Sequence, residues 1–168
     1  MMTADITFRI ATLEDLPIIV GIYNSTIPSR MVTADLEPVT VEDRLQWFHE
    51  HTPEKRPLWV VECEGNICGW VSLQSFYGRP AYHATVEISI YLHENYRGQG
   101  LGKKILSKVM EECPQFGIET LLAFIFGHNE PSLQLFYHFG FEKWGHLPEV
   151  AELDGVKRDL LILGRKIV

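Results

Sequence analysis

The fold prediction starts from one strand and the glycine-rich turn that follows it. Thr85–Leu92 reads TVEISIYL, with branched apolar side chains alternating with polar or hydroxyl-bearing ones. Residues 96–104 read YRGQGLGKK and contain three glycines. Residues 101–113 carry apolar side chains at helical spacing and are followed by Pro114. The pattern predicts a strand, then a tight turn that opens directly into an amphipathic helix.

Further strands and helices are predicted on both sides of this unit. Strands are expected at residues 7–10, 58–62, 67–73, 120–126, 141–144 and 158–163. Capping-box sequences at Thr12 and Thr40 each predict a helix, the second ending near Pro53, and Pro131 opens another helix through residue 139. A long polar loop is expected at residues 24–39, and loops of this length are often functional. Hairpins followed by a strand–helix–strand unit predict an α/β fold with a mixed sheet.

Composition limits the classes of function. The 168 residues are 46% apolar and 22% charged, with a formal charge of −7. One domain spanning 1–168 is expected at this size. The acidic balance argues against a nucleic-acid partner, and no apolar run approaches the ~20 residues that cross a bilayer, so no membrane partner is expected either. No secretory signal is recognisable, so we expect a cytoplasmic protein. In that compartment, Cys63, Cys68 and Cys113 are expected to be buried, reduced thiols.

The glycine-rich turn has the composition of an anion site. Successive backbone N–H groups can converge at glycines, and the following helix adds the positive end of its dipole, so the turn favours a phosphate or pyrophosphate. Arg97 and Lys103 reinforce this preference. The spacing does not match Walker A, and it lacks G-x-G-x-x-G, which disfavours a Rossmann-like nucleotide oxidoreductase. A packing turn without a ligand is the other interpretation.

Two blocks of sequence resemble a known family. The run Arg97-x-x-Gly100-x-Gly102 resembles the acyl-CoA pyrophosphate loop of the GNAT superfamily of N-acetyltransferases. Residues 129–141, reading NEPSLQLFYHFGF, resemble its later cofactor-contacting helix. Within the superfamily the sequence is most similar to phosphinothricin acetyltransferases and related amino-acid N-acyltransferases, through residues 22–26, 76–82, 85–87 and 147–163. The resemblance covers nearly the whole chain and implies the acyl-CoA N-acyltransferase fold, a central, mostly antiparallel sheet flanked by helices.

The resemblance implies acetyl-CoA as the co-substrate and assigns residues to it. The pantetheine arm would pair like an added strand with the backbone of Ile90, Tyr91 and Leu92. The pyrophosphate would bind at Arg97, Gly98, Gln99, Gly100, Leu101, Gly102 and Lys103. Asn129 and Ser132 would lie beside the pantetheine and thioester, a role that is compatible with capping the helix after Asn129.

A base and an acceptor site are also predicted. An amine acceptor is protonated at pH 7, and Glu87, on the opposite strand face to Ile88, is a carboxylate that could take its proton. The resemblance points to the same residue, although a strand glutamate is often simply solvated. By the resemblance, acceptor contacts are expected from Tyr77, Arg79, Thr85, Val86 and Glu87. Arg79 offers a bidentate fork to a carboxylate or phosphinate.

Two departures from the family pattern keep an alternative open. Many members carry a tyrosine four residues before the Gly-Phe pair to protonate the leaving thiolate; this chain has Phe136 there, with Tyr137 next to it. Phosphinothricin-type enzymes often carry a second arginine where this chain has Tyr77. The main prediction is an N-acetyltransferase for a small amino-acid-like amine of the phosphinothricin or methionine sulfoximine type. The alternative is a noncatalytic acyl-CoA-binding regulatory module.

Two further expectations concern metals and assembly. His49 and His51 lie close together in the sequence, but no third ligand is arranged for a metal, so none is predicted. A homodimer is expected by analogy with the family, with the apolar residues 160–163 as a contributor to the interface.

Overall fold

The computed structural model describes residues 5–167 as one seven-stranded sheet with helices on both faces. The strands are Ile6–Ile10 (β1), Leu58–Cys63 (β2), Asn66–Ser75 (β3), Thr85–Leu92 (β4), Thr120–Phe126 (β5), Glu142–Leu153 (β6) and Val156–Lys166 (β7). The helices are Leu16–Thr26 (α1), Val41–His49 (α2), Leu101–Glu112 (α3) and Glu130–His138 (α4), and short 3-10 turns join several of these elements.

The sheet order is β1-β2-β3-β4-β5-β7-β6, and every neighbouring pair except β4 and β5 is antiparallel. The parallel pair is short, since it joins residues 85–87 to residues 120–122 and no further. Beyond Glu87, β4 continues along β3 while β5 continues along β7. The two strands therefore separate and leave a gap in the middle of the sheet.

Two apolar clusters cover the two faces of the sheet. On one face, the α3 residues Leu101, Ile105, Leu106 and Val109 and the α4 residues Leu133 and Phe136 pack against alternate residues of the central strands. On the other face, α1 packs on Val60 and Trp70, with half-buried residues of α2 around them. The alternation of β4 agrees with this arrangement, because Val86 and Ile88 lie in the first cluster and Tyr91 lies against the second.

Close approach of the backbone fixes the end of β4. A Cβ atom at Gly69 on β3 would lie 2.5 Å from the carbonyl oxygen of Tyr91. Any side chain at this position would push β4 away from β3. Gly69 therefore holds the backbone of Tyr91 and Leu92 where the sheet opens.

The sequence predicts the central elements more accurately than the ends. The α/β class, the mixed sheet, β4 and β5 are confirmed, and α3 ends one residue before the predicted end. Residues 24–26 were expected in a loop but continue α1, and α2 ends at His49 rather than near Pro53. The last two strands are much longer than residues 141–144 and 158–163. Bulges after Lys143 and Leu147 let β6 pass Pro148, which interrupts the apolar pattern.

The prediction of buried thiols is confirmed. All three cysteines are buried, and none of them forms a disulfide bond with another described cysteine. Within residues 5–167, no helix is both long enough and apolar enough to cross a membrane.

Candidate functional site

The gap between β4 and β5 forms a cavity. It has a volume of about 490 Å³, and we call it the interstrand cavity. Its walls come from both diverging strands, from the glycine-rich turn, from the start of α4 and from the loop after α1. Because β4 and β5 no longer pair here, their facing backbone groups are available to an extended ligand. A third strand-like chain could therefore enter the sheet at this point.

The glycine-rich turn closes one end of the interstrand cavity. Gly98 and Gly100 have φ angles of 73° and 78°, in the left-handed region that glycine adopts without strain. Gly100 is also the N-cap of α3, so the first N–H groups of that helix have no partner within it. Gly102 allows α3 to approach α4, since a Cβ there would lie 3.1 Å from Leu135. The turn therefore presents N–H groups and a helix N-terminus to an anion.

Most of the predicted cofactor residues line the interstrand cavity. Eight of them do so: Ile90, Tyr91, Leu92, Arg97, Gly98, Gly102, Asn129 and Ser132. Gln99, Gly100, Leu101 and Lys103 belong to the same turn and helix start but are not among the lining residues. The side chain of Arg97 is exposed and donates to the carbonyl oxygen of Leu92 at 3.2 Å, which keeps the guanidinium beside the end of β4.

The loop after α1 forms another wall of the interstrand cavity. Ser29, Met31 and Val32 line it. Two neighbouring residues at the start of α4 hold this loop, because His128 Nε2 bonds the carbonyl oxygen of Arg30 at 2.8 Å and Asn129 Nδ2 donates to that of Met31 at 3.1 Å. Asn129 also caps α4 by accepting from the backbone N–H of Ser132.

Glu87 stands where β4 and β5 separate. It is the last β4 residue to pair with β5. On the other side of β4, it pairs with Gln74 of β3. Its carboxylate is half-buried and forms no hydrogen bond or ion pair with any residue from 5 to 167. Burial raises the pKa of Glu87 above the usual glutamate value, with no other cause acting. The result is an unpartnered carboxyl group with an increased affinity for a proton.

A second, smaller cavity lies on the face of β4 that carries Glu87. It has a volume of about 170 Å³ between β3, β4, α1 and α2, and we call it the helix-side cavity. Its lining is mainly aromatic and polar: Ile19, Val20, Tyr23, Val39, Arg44, Trp47, Trp70, Ser72, Gln74, Ser89 and Tyr91. Ser89 and Tyr91 also line the interstrand cavity, so the two cavities adjoin along β4. Glu87 lines neither cavity but is flanked by Gln74 and Ser89, which do.

The predicted acceptor residues are more dispersed. Tyr77 and Arg79 lie in the exposed connection between β3 and β4, and neither lines a cavity of the two described. Tyr77 is 78% exposed and packs against Phe76. Thr85 is half-buried at the start of β4, whereas the Val86 side chain is fully buried in the core. Only the backbone of Val86 could therefore meet a ligand.

Phe136, where the resemblance implies a tyrosine, and its neighbour Tyr137 differ in their position relative to the interstrand cavity. Phe136 is buried, contacts Phe141, and borders the interstrand cavity. Tyr137 is 38% exposed and does not line the cavity. The position where the resemblance implies a general acid therefore carries a ring without a proton to give.

The sequence does not indicate that Arg44, Trp47 and Trp70 line one cavity or that β5 forms a wall of the other. Tryptophans in apolar patterns are typical of packing residues, and the spacing of Arg44 is typical of the polar face of a short helix. The β5 wall, residues 123–126, reads as a buried strand. The one available signal was the polar face of β4, where Ser89 and Tyr91 follow Glu87 at two-residue spacing.

Comparison with known proteins agrees with this geometry. The acetyltransferase (GNAT) family model matches residues 20–141. The chain is 56% identical over 162 residues to YwnH of Bacillus subtilis, provisionally named a phosphinothricin acetyltransferase, covering 96% of this chain and 99% of that one. It is 30% identical over 158 residues to an L-methionine sulfoximine/L-methionine sulfone acetyltransferase of Pseudomonas aeruginosa, covering 94% and 92%.

A solved structure gives the same result for the fold. The phosphinothricin acetyltransferase of Sinorhizobium meliloti, determined in complex with acetyl-CoA, superposes with a TM-score of 0.89 at 31% identity and covers 98% of this chain and 89% of that one. The open parallel pair, the glycine turn at the start of α3 and these matches lead to one conclusion: the chain belongs to the GNAT family of acetyltransferases.

Proposed function

We propose that this chain transfers the acetyl group of acetyl-CoA to the amine of a small amino-acid-like acceptor by direct attack. One observation carries the proposal. Strand β4 borders the interstrand cavity along its open edge and carries the unpartnered Glu87 where that edge begins. A single strand therefore joins a place for the acyl donor to a base for the acceptor.

The interstrand cavity would hold acetyl-CoA in a defined direction. The pyrophosphate of acetyl-CoA meets the N–H groups of the glycine turn and the side chain of Arg97, and Lys103 adds positive charge nearby. The pantetheine arm runs between the separated strands against Ile90, Tyr91 and Leu92. The thioester then lies towards the closed end of the gap, near Glu87, Asn129 and Ser132.

The transfer step is a simple substitution at the thioester carbon. The acceptor amine loses a proton to Glu87, directly or through one water, and its nitrogen forms a bond to the acetyl carbonyl carbon. The carbon–sulfur bond then breaks, CoA leaves as the thiolate, and the new amide nitrogen releases its remaining extra proton to solvent. Because Phe136 has no proton to give, the thiolate takes its proton from solvent.

A noncatalytic acyl-CoA-binding module is the less favoured function. Its main support is Phe136, but that residue bears on thiolate protonation and not on the attack itself. The buried carboxyl of Glu87 has no structural partner among residues 5–167, which a packing role would not explain. The relatives named for amino-acid acetylation also match along almost the whole chain.

The acceptor is proposed to be an amino acid of the phosphinothricin or methionine sulfoximine type. This follows the activities for which the relatives are named. Arg79 and Tyr77, on the exposed connection that leads into β4, are proposed as contacts for an anionic group on the acceptor side chain. Thr85, with the backbone of Val86, would contribute at the start of the same strand.

The expected result of a substrate screen is selective release of CoA. A thiol reagent would follow CoA production from acetyl-CoA with phosphinothricin, methionine sulfoximine, methionine sulfone, the common amino acids and polyamines. We expect turnover with one or more anionic amino acids and none with polyamines. Binding of acetyl-CoA without turnover of any amine would instead support the regulatory module.

The remaining elements of the proposal concern assembly and location. We propose a homodimer, because β6 is an edge strand with the exposed apolar side chains of Trp144, Leu147 and Val150. Residues 160–163 lie on β7 between two other strands, so they would support this surface rather than form its edge. A sedimentation mass of twice 19.3 kDa is expected, and a mass of 19.3 kDa would contradict the dimer.

A cytoplasmic location, without nucleic-acid or membrane partners, is also proposed. It agrees with three cysteines that form no disulfide and with the charge of −7.

A further inference from the structure

The helix-side cavity has one charged residue in its lining, and that residue is Arg44. No carboxylate lines this cavity. Its other polar groups are hydroxyls, the side-chain amide of Gln74 and the indole rings of Trp47 and Trp70. The lining residues Ser89 and Tyr91 also line the interstrand cavity on the other side of β4. A ligand in the helix-side cavity would thus lie beside β4, on the same face as Glu87, with a single cation within reach.

The guanidinium of Arg44 is held in place before any ligand binds. Its Nη2 donates to Asp35 at 3.0 Å, and its central carbon lies 4.8 Å from the centre of the Tyr23 ring. The Tyr23 hydroxyl bonds the same Asp35 carboxylate and lies 2.5 Å from the hydroxyl oxygen of Thr33. These contacts fix both the plane and the position of the guanidinium.

Most of the hydrogen-bonding capacity of Arg44 is unused. An arginine side chain has five N–H donors, and the bond to Asp35 is the one that Arg44 makes within residues 5–167. Its side chain is 29% exposed, so the remaining donors are not sealed in the core. A guanidinium with fixed geometry and free donors suits a planar carboxylate, which it can bind through two parallel hydrogen bonds.

Arg44 and Glu87 both lie on the side of β4 that carries the Tyr91 ring. Both lie close enough to Tyr91 to influence the pKa of its hydroxyl, which burial raises first of all. The Tyr91 ring stacks on Trp70 at 4.6 Å and lies 5.2 Å from Tyr23, so it is fixed between α1 and the sheet. An α-amino acid carries its amine and its carboxylate on one carbon. A molecule of this kind can present the amine to the base while its carboxylate meets the arginine.

We propose that Arg44 binds the α-carboxylate of the acceptor in the helix-side cavity and thereby selects α-amino acids over other amines. The inference rests on the proposed function, since it names the group that recognises the acceptor at the same site. It leaves Arg79 for an anionic group on the acceptor side chain. Polyamines are rejected because Arg44 would repel a second cationic group at this position.

The test compares an amino acid with its own carboxamide. L-Methionine sulfone has its α-carboxylate as its one anionic group, and the carboxamide removes that charge. We expect Arg44→Gln to lower kcat/KM for the acid about tenfold to hundredfold, with little change for the amide and with the KM for acetyl-CoA retained. The readout is the change in the acid-to-amide ratio, because the different basicity of the amide amine affects every variant alike.

Three further variants separate recognition from structure. Arg44→Lys keeps the charge but loses the fork and the stacking, so an intermediate ratio is expected, and this variant serves if Arg44→Gln does not fold. Arg165→Gln changes an arginine of β7 outside both cavities, and should keep the wild-type ratio. Equal losses for acid and amide in the Arg44 variants would show a structural role and overturn the inference. So would an unchanged ratio there together with a lost preference in Arg79→Gln.

Direct binding distinguishes a failure of this inference from a failure of the proposed function. Trp47 and Trp70 line the helix-side cavity, so a ligand there changes tryptophan fluorescence. If the wild type acetylates neither compound, the proposed function fails. In that case a fluorescence change with methionine sulfone that is lost in Arg44→Gln still supports carboxylate binding, and no change in the wild type overturns it.

Discussion

Replacing Glu87 with glutamine lowers kcat by about 100-fold to 10,000-fold, the range that a positioned general base contributes. The amide keeps the shape of the side chain but cannot take a proton from the acceptor amine. Glu87 is not among the residues that line the interstrand cavity, so the affinity for acetyl-CoA is retained. Steady-state rates with a saturating amino acid, together with calorimetric titration of acetyl-CoA, measure both effects.

The pH profile gives the same prediction an independent readout. Burial raises the pKa of Glu87, and a base acts only when it is deprotonated. The kcat/KM of the wild type therefore falls as the pH drops through this raised pKa, which lies above the usual glutamate value of about 4.3. In Glu87→Gln this acidic limb disappears.

A matched carboxylate provides the control for Glu87. Glu62 is a half-buried glutamate on β2 that lines neither cavity and lies 3.5 Å from Arg9. Glu62→Gln should leave kcat and the acidic limb as in the wild type. Equal turnover of Glu87→Gln and Glu62→Gln would remove the base from the mechanism.

A valine at Gly100 reduces acetyl-CoA affinity at least tenfold. Gly100 has a φ of 78°, which costs roughly 1–2 kcal/mol for a residue with a side chain. Relief of that strain turns the N–H groups at the start of α3 away from the pyrophosphate. Each hydrogen bond to a charged group contributes about 1.5–3 kcal/mol, so the loss of one is sufficient for the expected change. Isothermal titration with acetyl-CoA measures it.

Gly65 separates backbone strain from cofactor binding. It has a φ of 82° in the turn between β2 and β3, and a Cβ there would meet nothing within 4 Å, as is also true at Gly100. Gly65→Val should lose a similar amount of stability while it keeps the wild-type affinity for acetyl-CoA. If both valines weakened the affinity equally, the turn before α3 would not be the pyrophosphate site.

The sequence predicts the part of the site that is built from continuous segments. The alternation of β4 and the three glycines after it place the gap, the anion-binding turn and Glu87, because strand and turn geometry follow directly from local residue types. The same reasoning fails for β6 and β7. Their pairing depends on two bulges and on a hairpin with its turn at residues 154–155, features that apolar periodicity does not reveal.

The helix-side cavity could not be found by reading along the chain. Its polar groups come from α1, α2, β3 and β4, and those of the two strands meet because the antiparallel register puts Ser72 opposite Ser89 and Trp70 opposite Tyr91. Register of this kind is set by the pairing of whole strands. Arg44 enters the site through its contacts with Asp35 and Tyr23, which lie 9 and 21 residues before it. No local pattern distinguishes such an arginine from a solvated one.

In the proposed mechanism, the acetyl group moves directly from CoA to an amine, with donor and acceptor bound together on the two sides of β4. Initial rates, measured while the concentrations of both substrates are varied, distinguish this mechanism from a route through an acetylated protein. Direct transfer predicts intersecting double-reciprocal lines, the pattern of a ternary complex, and no acetyl group on the protein after incubation with acetyl-CoA alone. Parallel lines, together with an acetylated side chain identified by mass spectrometry, would contradict direct transfer.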